Sequence, residues 1–283
     1  MKRWHRVGIL VALVGLATTA VAGNVRKTAE GSMLVTGSVQ VNPDGSLHGY
    51  TLDKPEKLPP EVVGIIDKSI ATWEFKLSGP SKEVVKAKMN LRVVAKPTGE
   101  GTYRVAVEGS SFGDEGGNVP SVTSKDNTFA PKYPQMAIES RVSGTVYLLL
   151  RVGRDGTVED AIAEQVNLEQ YATPVMMEKL RNAFAKASLD AARRWTYNLP
   201  TSGATVNDPY WVVRVPVNFY LNVNGSDLIR HSYGHWDAYI PGPRQTAPWI
   251  NKELASQSPD TTPDGSLATG NSQVQLATQL VGS

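Results

Sequence analysis

A chain of 283 residues is long enough for one sizeable domain or two small ones, each with its own core. Lysine and arginine number 29 against 27 aspartates and glutamates, and cysteine is absent, which excludes a disulfide framework and a thiolate metal site. So slight a basic excess leaves no electrostatic footprint for nucleic acid.

The chain opens on Lys2, Arg3 and Arg6, followed by an apolar run from Val7 to Val21 that closes on Ala20-Val21-Ala22. That is the basic, apolar, small-residue order of a secretory signal, and cleavage after Ala22 is expected. The alternative is a short uncleaved anchor, because the run is shorter than the ~20 residues of a usual spanning helix. Removing residues 1–22 takes away three basic and no acidic groups, leaving 26 against 27 and a net charge near −1. No later apolar stretch reaches spanning length, so the rest of the chain is expected to be soluble.

Alternation predicts a strand over Met33–Val41, a tight turn at Asn42-Pro43-Asp44-Gly45, and a second strand over Leu47–Leu52. Leu58-Pro59-Pro60 opens a segment in which Val62, Val63, Ile65, Ile66, Ile70 and Trp73 recur at helical steps, so a helix ending near Trp73 is expected. Two further alternating strands, Ala87–Ala95 and Tyr103–Glu108, flank a turn at Lys96–Gly101. These elements define a first module over residues 31–108. Gly109 to Thr128, rich in Gly, Ser, Asp and Asn, has no periodicity and reads as a linker, residues 109–128.

A second module over residues 129–223 repeats the order. Arg141–Val152 is a predicted strand, Gly153-Arg154-Asp155-Gly156 a turn, and Thr157–Gln165 the returning arm. A helix carries Leu180, Phe184, Ala187, Ala191 and Trp195 on one stripe, and Tyr210–Leu221 is a long last strand. Asp44-Gly45 matches Asp155-Gly156, Trp73-Glu74-Phe75 matches Trp195-Thr196-Tyr197, and Met89–Ala95 matches Val213–Phe219, which suggests a duplication. An aromatic extension over residues 224–252 holds Trp236, Tyr239, Ile240 and Trp249, and packing back on the second module is its commoner fate. Residues 253–283, rich in Ser, Thr, Gln and Gly, are expected to be disordered.

In order, Pro131, Tyr133-Pro134, Ala137, Gly144-Thr145-Val146, Asp155-Gly156-Thr157-Val158, Ala191, Arg194-Trp195-Thr196-Tyr197 and Val215-Pro216-Val217-Asn218-Phe219 make a set that resembles the TonB C-terminal domain family. The fold class expected from this is α+β, two TonB-C-like ββαβ modules in tandem, the first a degenerate copy, with an irregular C-terminal tail. The resemblance implies a periplasmic domain that engages an outer-membrane transporter or other envelope protein, pairing with an extended segment of the partner by strand addition. The candidate edge is the last strand. Trp211, Val213, Val215, Val217 and Phe219 are the candidate partner-binding residues on it, with Tyr133 and Pro134 lining the approach. An ordinary interior strand, or an edge covered by the aromatic extension, is the plainer alternative.

The same resemblance raises a rival reading, a membrane-anchored energy transducer that also contacts inner-membrane motor subunits. The apolar run holds only Thr18 and Thr19 as polar groups, and Gly23–Leu34 leads almost directly into the first strand without a Pro-rich spacer, so a binding protein is the expectation. A structural envelope component is a third reading. Open strand edges are compatible with homodimers.

Enzymatic signals are weak. Gly109-Ser110-Ser111-Phe112-Gly113 fits the nucleophile-elbow pattern, but Asp114-Glu115-Gly116-Gly117-Asn118 and Pro120 follow where a helix is required. His231 and His235 stand four apart beside Asp237, yet Gly234 argues against the helix that would bring two imidazoles to one metal. His48 sits beside a turn, and the charged helix face of Glu178, Lys179, Arg181, Lys186 and Arg193 reads as solvated. No enzyme activity, cofactor, metal or nucleic acid is expected.

Overall fold

A computed structural model describes residues 29–99, 101–114, 121–125, 129–203, 205–221 and 233–280. The expected signal at residues 1–22 lies outside them, as do Pro120 and His231. The fold is mixed α and β, mostly strands with few helices.

In the first half, β1 (Glu30–Val41) and β2 (Leu47–Leu52) form a hairpin, α1 (Pro60–Ile70) follows, and β3 (Phe75–Leu77) leads to β4 (Val85–Gly99) and β5 (Thr102–Asp114). All pairings are antiparallel, in the order β2-β1-β4-β5. In the second half β6 (Thr123–Ser124) and α2 (Gln135–Glu139) precede a hairpin of β7 (Gly144–Gly153) and β8 (Val158–Leu168). Then come α3 (Pro174–Ala192), β9 (Tyr197–Asn198) and β10 (Tyr210–Phe219), in sheet order β10-β7-β8. In both halves a short strand, β3 or β9, follows the helix, and the long strand after it, β4 or β10, pairs with the first strand of the hairpin.

Local chemistry explains these elements. Pro60 and Pro174 start α1 and α3 where a missing N–H costs nothing, and Thr173 caps α3 by accepting from the Met176 amide. Val62, Ile66 and Ile70 bury one stripe of α1 against Val35, Met89 and Leu91. Met177, Leu180, Phe184 and Ala191 do the same for α3 against Leu148, Leu150 and Val213. Trp73 and Trp195, just past each helix, are buried in the respective cores.

The two turn glycines serve more than hairpin geometry. Gly45 has φ 87° and Gly156 φ 81°, and a Cβ at either would come within 2.3 and 2.4 Å of the carbonyl oxygens of Phe75 and Tyr197. The glycine carbonyl in turn accepts the amide of that same aromatic, at 2.9 and 2.8 Å, so each turn docks the strand that leaves the helix. Asp44 and Asp155 accept the amides and hydroxyls of Ser46 and Thr157. These bonds hold both carboxyls below their ordinary 3.8, chiefly through the Ser46 hydroxyl in one turn and the Thr157 amide in the other. A depressed native pKa stabilises above the unfolded value and the benefit disappears as pH falls through the native one. The Asp44→Asn, Asp155→Asn double variant should therefore melt lower than wild type at neutral pH and lose Tm less steeply between about pH 5 and pH 2.

Two expectations are corrected. Residues 109–114 are not linker but the continuation of β5, with Ser110, Ser111 and Phe112 buried, and Val122 joins the second core. The remainder, 115–120 and 126–128, lies outside the described residues. Nor are residues 253–280 disordered. The C-terminal segment forms β11 (Asp237–Tyr239) on the edge of β1, α4 (Lys252–Ser256), a 3-10 turn at Pro259–Thr261, and β12 (Val274–Leu276) paired with β3. Leu254 plugs a small cluster with Leu149 and Val212 on the side of the second sheet away from α3. Composition misled here because a Ser/Thr-rich segment with few apolar anchors borrows its order from the sheets beneath it. Leu254→Ala should lower unfolding free energy by about 2–5 kcal/mol in urea denaturation.

Candidate functional site

The expected partner-binding residues fall into two groups. Trp211, Val213, Val215, Val217 and Phe219 form one row on β10, and all of them face the core under α3, with Val213 fully buried. Their side chains belong to the core, as the two-residue period of a strand sends alternate residues to one face. Tyr133 is half-buried and meets the rings of Phe184 and Phe219 edge-on at 5.8 and 5.4 Å. Its hydroxyl donates to the Val142 carbonyl at 2.7 Å. Pro134 is the N-cap of α2. The approach segment is thus clamped to the C-terminal end of β10.

What β10 offers outward is backbone. It ends its sheet, with β7 on one side. On the other, Arg214 exchanges two hydrogen bonds with Ala268, 2.7 Å from its amide and 3.1 Å to its carbonyl. The ladder alternates, so the groups of Val212, Pro216 and Asn218 face the same way as those of Arg214. Pro216 is tolerated because the N–H it lacks would point away from β7. Among the described residues, the outward groups of Val212 and Asn218 carry no backbone partner.

Under this edge sits a charged cluster that sequence reasoning missed. Arg214 and Glu164 are fully buried, and the Arg214 Nε and Nη2 donate to the Glu164 carboxylate at 2.6 and 2.9 Å. Arg244 from the C-terminal segment donates to the same carboxylate at 2.7 Å, and both arginines donate to the Leu254 carbonyl. The available signal was the unbroken run Tyr147-Leu148-Leu149-Leu150, which cannot all face one helix and announces a sheet covered on both sides. Arg181, expected on a solvated face, is half-buried and donates to the carbonyls of Val166, Ile240 and Pro241. Burial pushes its pKa down.

The first sheet has a parallel arrangement. Arg92 lies 2.5 Å from Asp260 and over the Tyr239 ring, and Lys96 bridges to Glu108 at 2.5 Å. Arg92, Asp260, Lys96 and Glu108 line a polar cleft of about 730 Å³ with Arg244 and Glu253. Arg92, Lys96 and Arg244 are each paired with a carboxylate of the chain, which makes the cleft a seam between sheets and tail.

Ser111 sits in the middle of β5, accepting from Asn90 and donating to the Thr261 carbonyl, so no strand-to-helix elbow forms around it. No group of three or more metal-ligating side chains occurs among the described residues. No helix among them is long and apolar enough to cross a membrane.

A buried carboxylate holding two arginines tolerates little change. Glu164→Gln leaves both guanidinium groups short of a counter-charge and should destabilise the chain by about 3–5 kcal/mol in chemical denaturation, whereas the paired Glu164→Leu, Arg214→Met change should cost much less.

Residues 130–221 match the family model described as Gram-negative bacterial TonB protein C-terminal. Proteins named Protein TonB from two strains of Xanthomonas campestris pv. campestris are 36% identical over 101 residues, which is 35% of this chain and 38% of theirs. The chain therefore spans well under half the length of the curated relatives it matches. No solved structure matches it significantly.

Proposed function

We propose that the chain, whose residues 130–221 match the TonB C-terminal family model, is a non-enzymatic envelope protein of outer-membrane transport, exported to the periplasm. Its second half receives an extended segment of an outer-membrane partner as a further strand on the outer edge of β10. The observation that carries this reading is the row of outward backbone groups at Val212, Arg214, Pro216 and Asn218, of which, among the described residues, only those of Arg214 are hydrogen-bonded to other backbone. Strand addition draws affinity from such groups and selectivity from neighbouring side chains. The inward side chains, Trp211 to Phe219, serve by holding the strand straight against α3.

A duplicated ββαβ plan accompanies this reading. Support comes from the turn glycine that accepts the amide of the post-helix aromatic in both halves, and from the shared pairing of the last strand with the first. The first half carries an extra strand, β5, and serves as a platform on which the C-terminal segment is anchored.

The rival, a membrane-anchored energy transducer working with inner-membrane motor subunits, draws on the name of the relatives, Protein TonB. Edge binding is tested by a photo-crosslinking amino acid placed at Asn218 of the full chain in Gram-negative cells. Adducts with an outer-membrane transporter are expected, and none from the same group placed at exposed Lys186. Adducts confined to inner-membrane proteins would overturn edge binding and favour the rival.

A further inference from the structure

We propose that Ser266–Thr269 is a built-in occupant of the β10 edge, a strap that keeps the strand-addition site closed until a partner segment displaces it. The inference rests on the reading that this edge is the docking site.

Three observations carry it. First, the edge is covered: Val212, Arg214 and Pro216 are all buried. Yet the cover makes only the two backbone bonds between Arg214 and Ala268. Second, the strap cannot lengthen its own ladder. The next rung on one side would join Ser266 to Pro216, but Pro216 has no N–H and the Ser266 amide is spent on the Pro263 carbonyl at 3.1 Å. On the other side Gly270 turns away with φ 65°, held against Asn251 and Leu254. Third, the strap is bounded by Gly265 and Gly270, both at positive φ, and its further ties are local, the Asn251 side-chain amide donating to the Thr269 carbonyl at 3.0 Å and Ala268 packing beside Leu254, so its release leaves the β12–β3 pairing in place.

A competing segment can therefore gain what the strap does not use. An extended peptide running antiparallel to β10 could engage the outward groups of Val212, the carbonyl of Pro216 and both groups of Asn218, besides those of Arg214. The partner this geometry fits is an extended stretch of at least seven residues without proline at the rungs, entering beside Tyr220 and Asp264, whose side chains meet at 3.4 Å.

The test uses the full chain and a labelled synthetic peptide of its own residues 263–271 as the competing strand. Ala268→Pro deletes the strap's donated bond and should open the edge, binding the peptide at least tenfold more tightly than wild type. In the antiparallel register Val215 lies opposite Leu267, a non-hydrogen-bonded pair with both side chains packed toward the α3 core. Because the chain has no cysteine, a Val215→Cys, Leu267→Cys variant can be locked by oxidation, and its oxidised form should bind the peptide at least tenfold more weakly than its reduced form. Equal affinity in wild type, Ala268→Pro, and the locked and reduced forms, or no peptide binding in any of them, overturns the strap. If Ala268→Pro fails to fold, the oxidised and reduced comparison decides alone. The partner assignment fails separately: peptide competition without transporter adducts at Asn218 leaves the strap standing and removes the partner, while adducts with unchanged peptide affinities do the reverse.

Discussion

The carboxylate of Glu164, held under two arginines, is the constraint on which the arrangement of the second half depends. A charge removed from water is tolerated only when its partners are close and its lone pairs are filled. Arg214 fills them from within the sheet and Arg244 from the C-terminal segment. Both arginines then spend a donor on the Leu254 carbonyl, which fixes α4 over the sheet. The face that α3 does not cover thus acquires a second cover, specified by directional bonds more than by bulk apolar contact.

From that cover the rest follows in sequence. Once Leu254 is seated against Leu149 and Val212, the chain beyond it has to leave along the seam between the sheets, where Asp260 meets Arg92. It then reaches the outer edge of β10 near Ala268 and returns to the first half as β12 on β3. Unpaired strand edges invite association, and shielding them with a covering segment is a usual remedy. Here the remedy is partial in hydrogen bonding, which is what makes the edge of β10 both protected and suited to exchange.

The two halves use the same device at their hairpins: an aspartate that closes the turn, a glycine that brings the turn against the next strand, and an aromatic that seals the helix end. The turns and the aromatics at the helix ends were legible in the amino-acid sequence, because they are local and dictated by backbone sterics, whereas the docking of each turn glycine on Phe75 or Tyr197 was not, since it joins distant positions. β2 was bounded as expected, and α1 and β10 to within a few residues, while for α3 the sequence showed the apolar stripe and no bounds. The continuation of β5 through Gly109–Asp114 was not legible, since glycines and serines carry a strand there only because the tail and β4 pack against it.

The sequence by itself determined the order of hairpins and helices, the stripes that face each helix, the turn chemistry and the resemblance of residues 131–219 to one family. It did so because side-chain period and turn stereochemistry act within a single element. Only the tertiary structure decided that the row from Trp211 to Phe219 is core, that Glu164 and Arg214 meet, and that residues 237–276 belt both sheets. Those outcomes join groups 40 to more than 200 positions apart. Their free energy comes from burial and pairing that exist once the sheets are formed, and no local pattern encodes them.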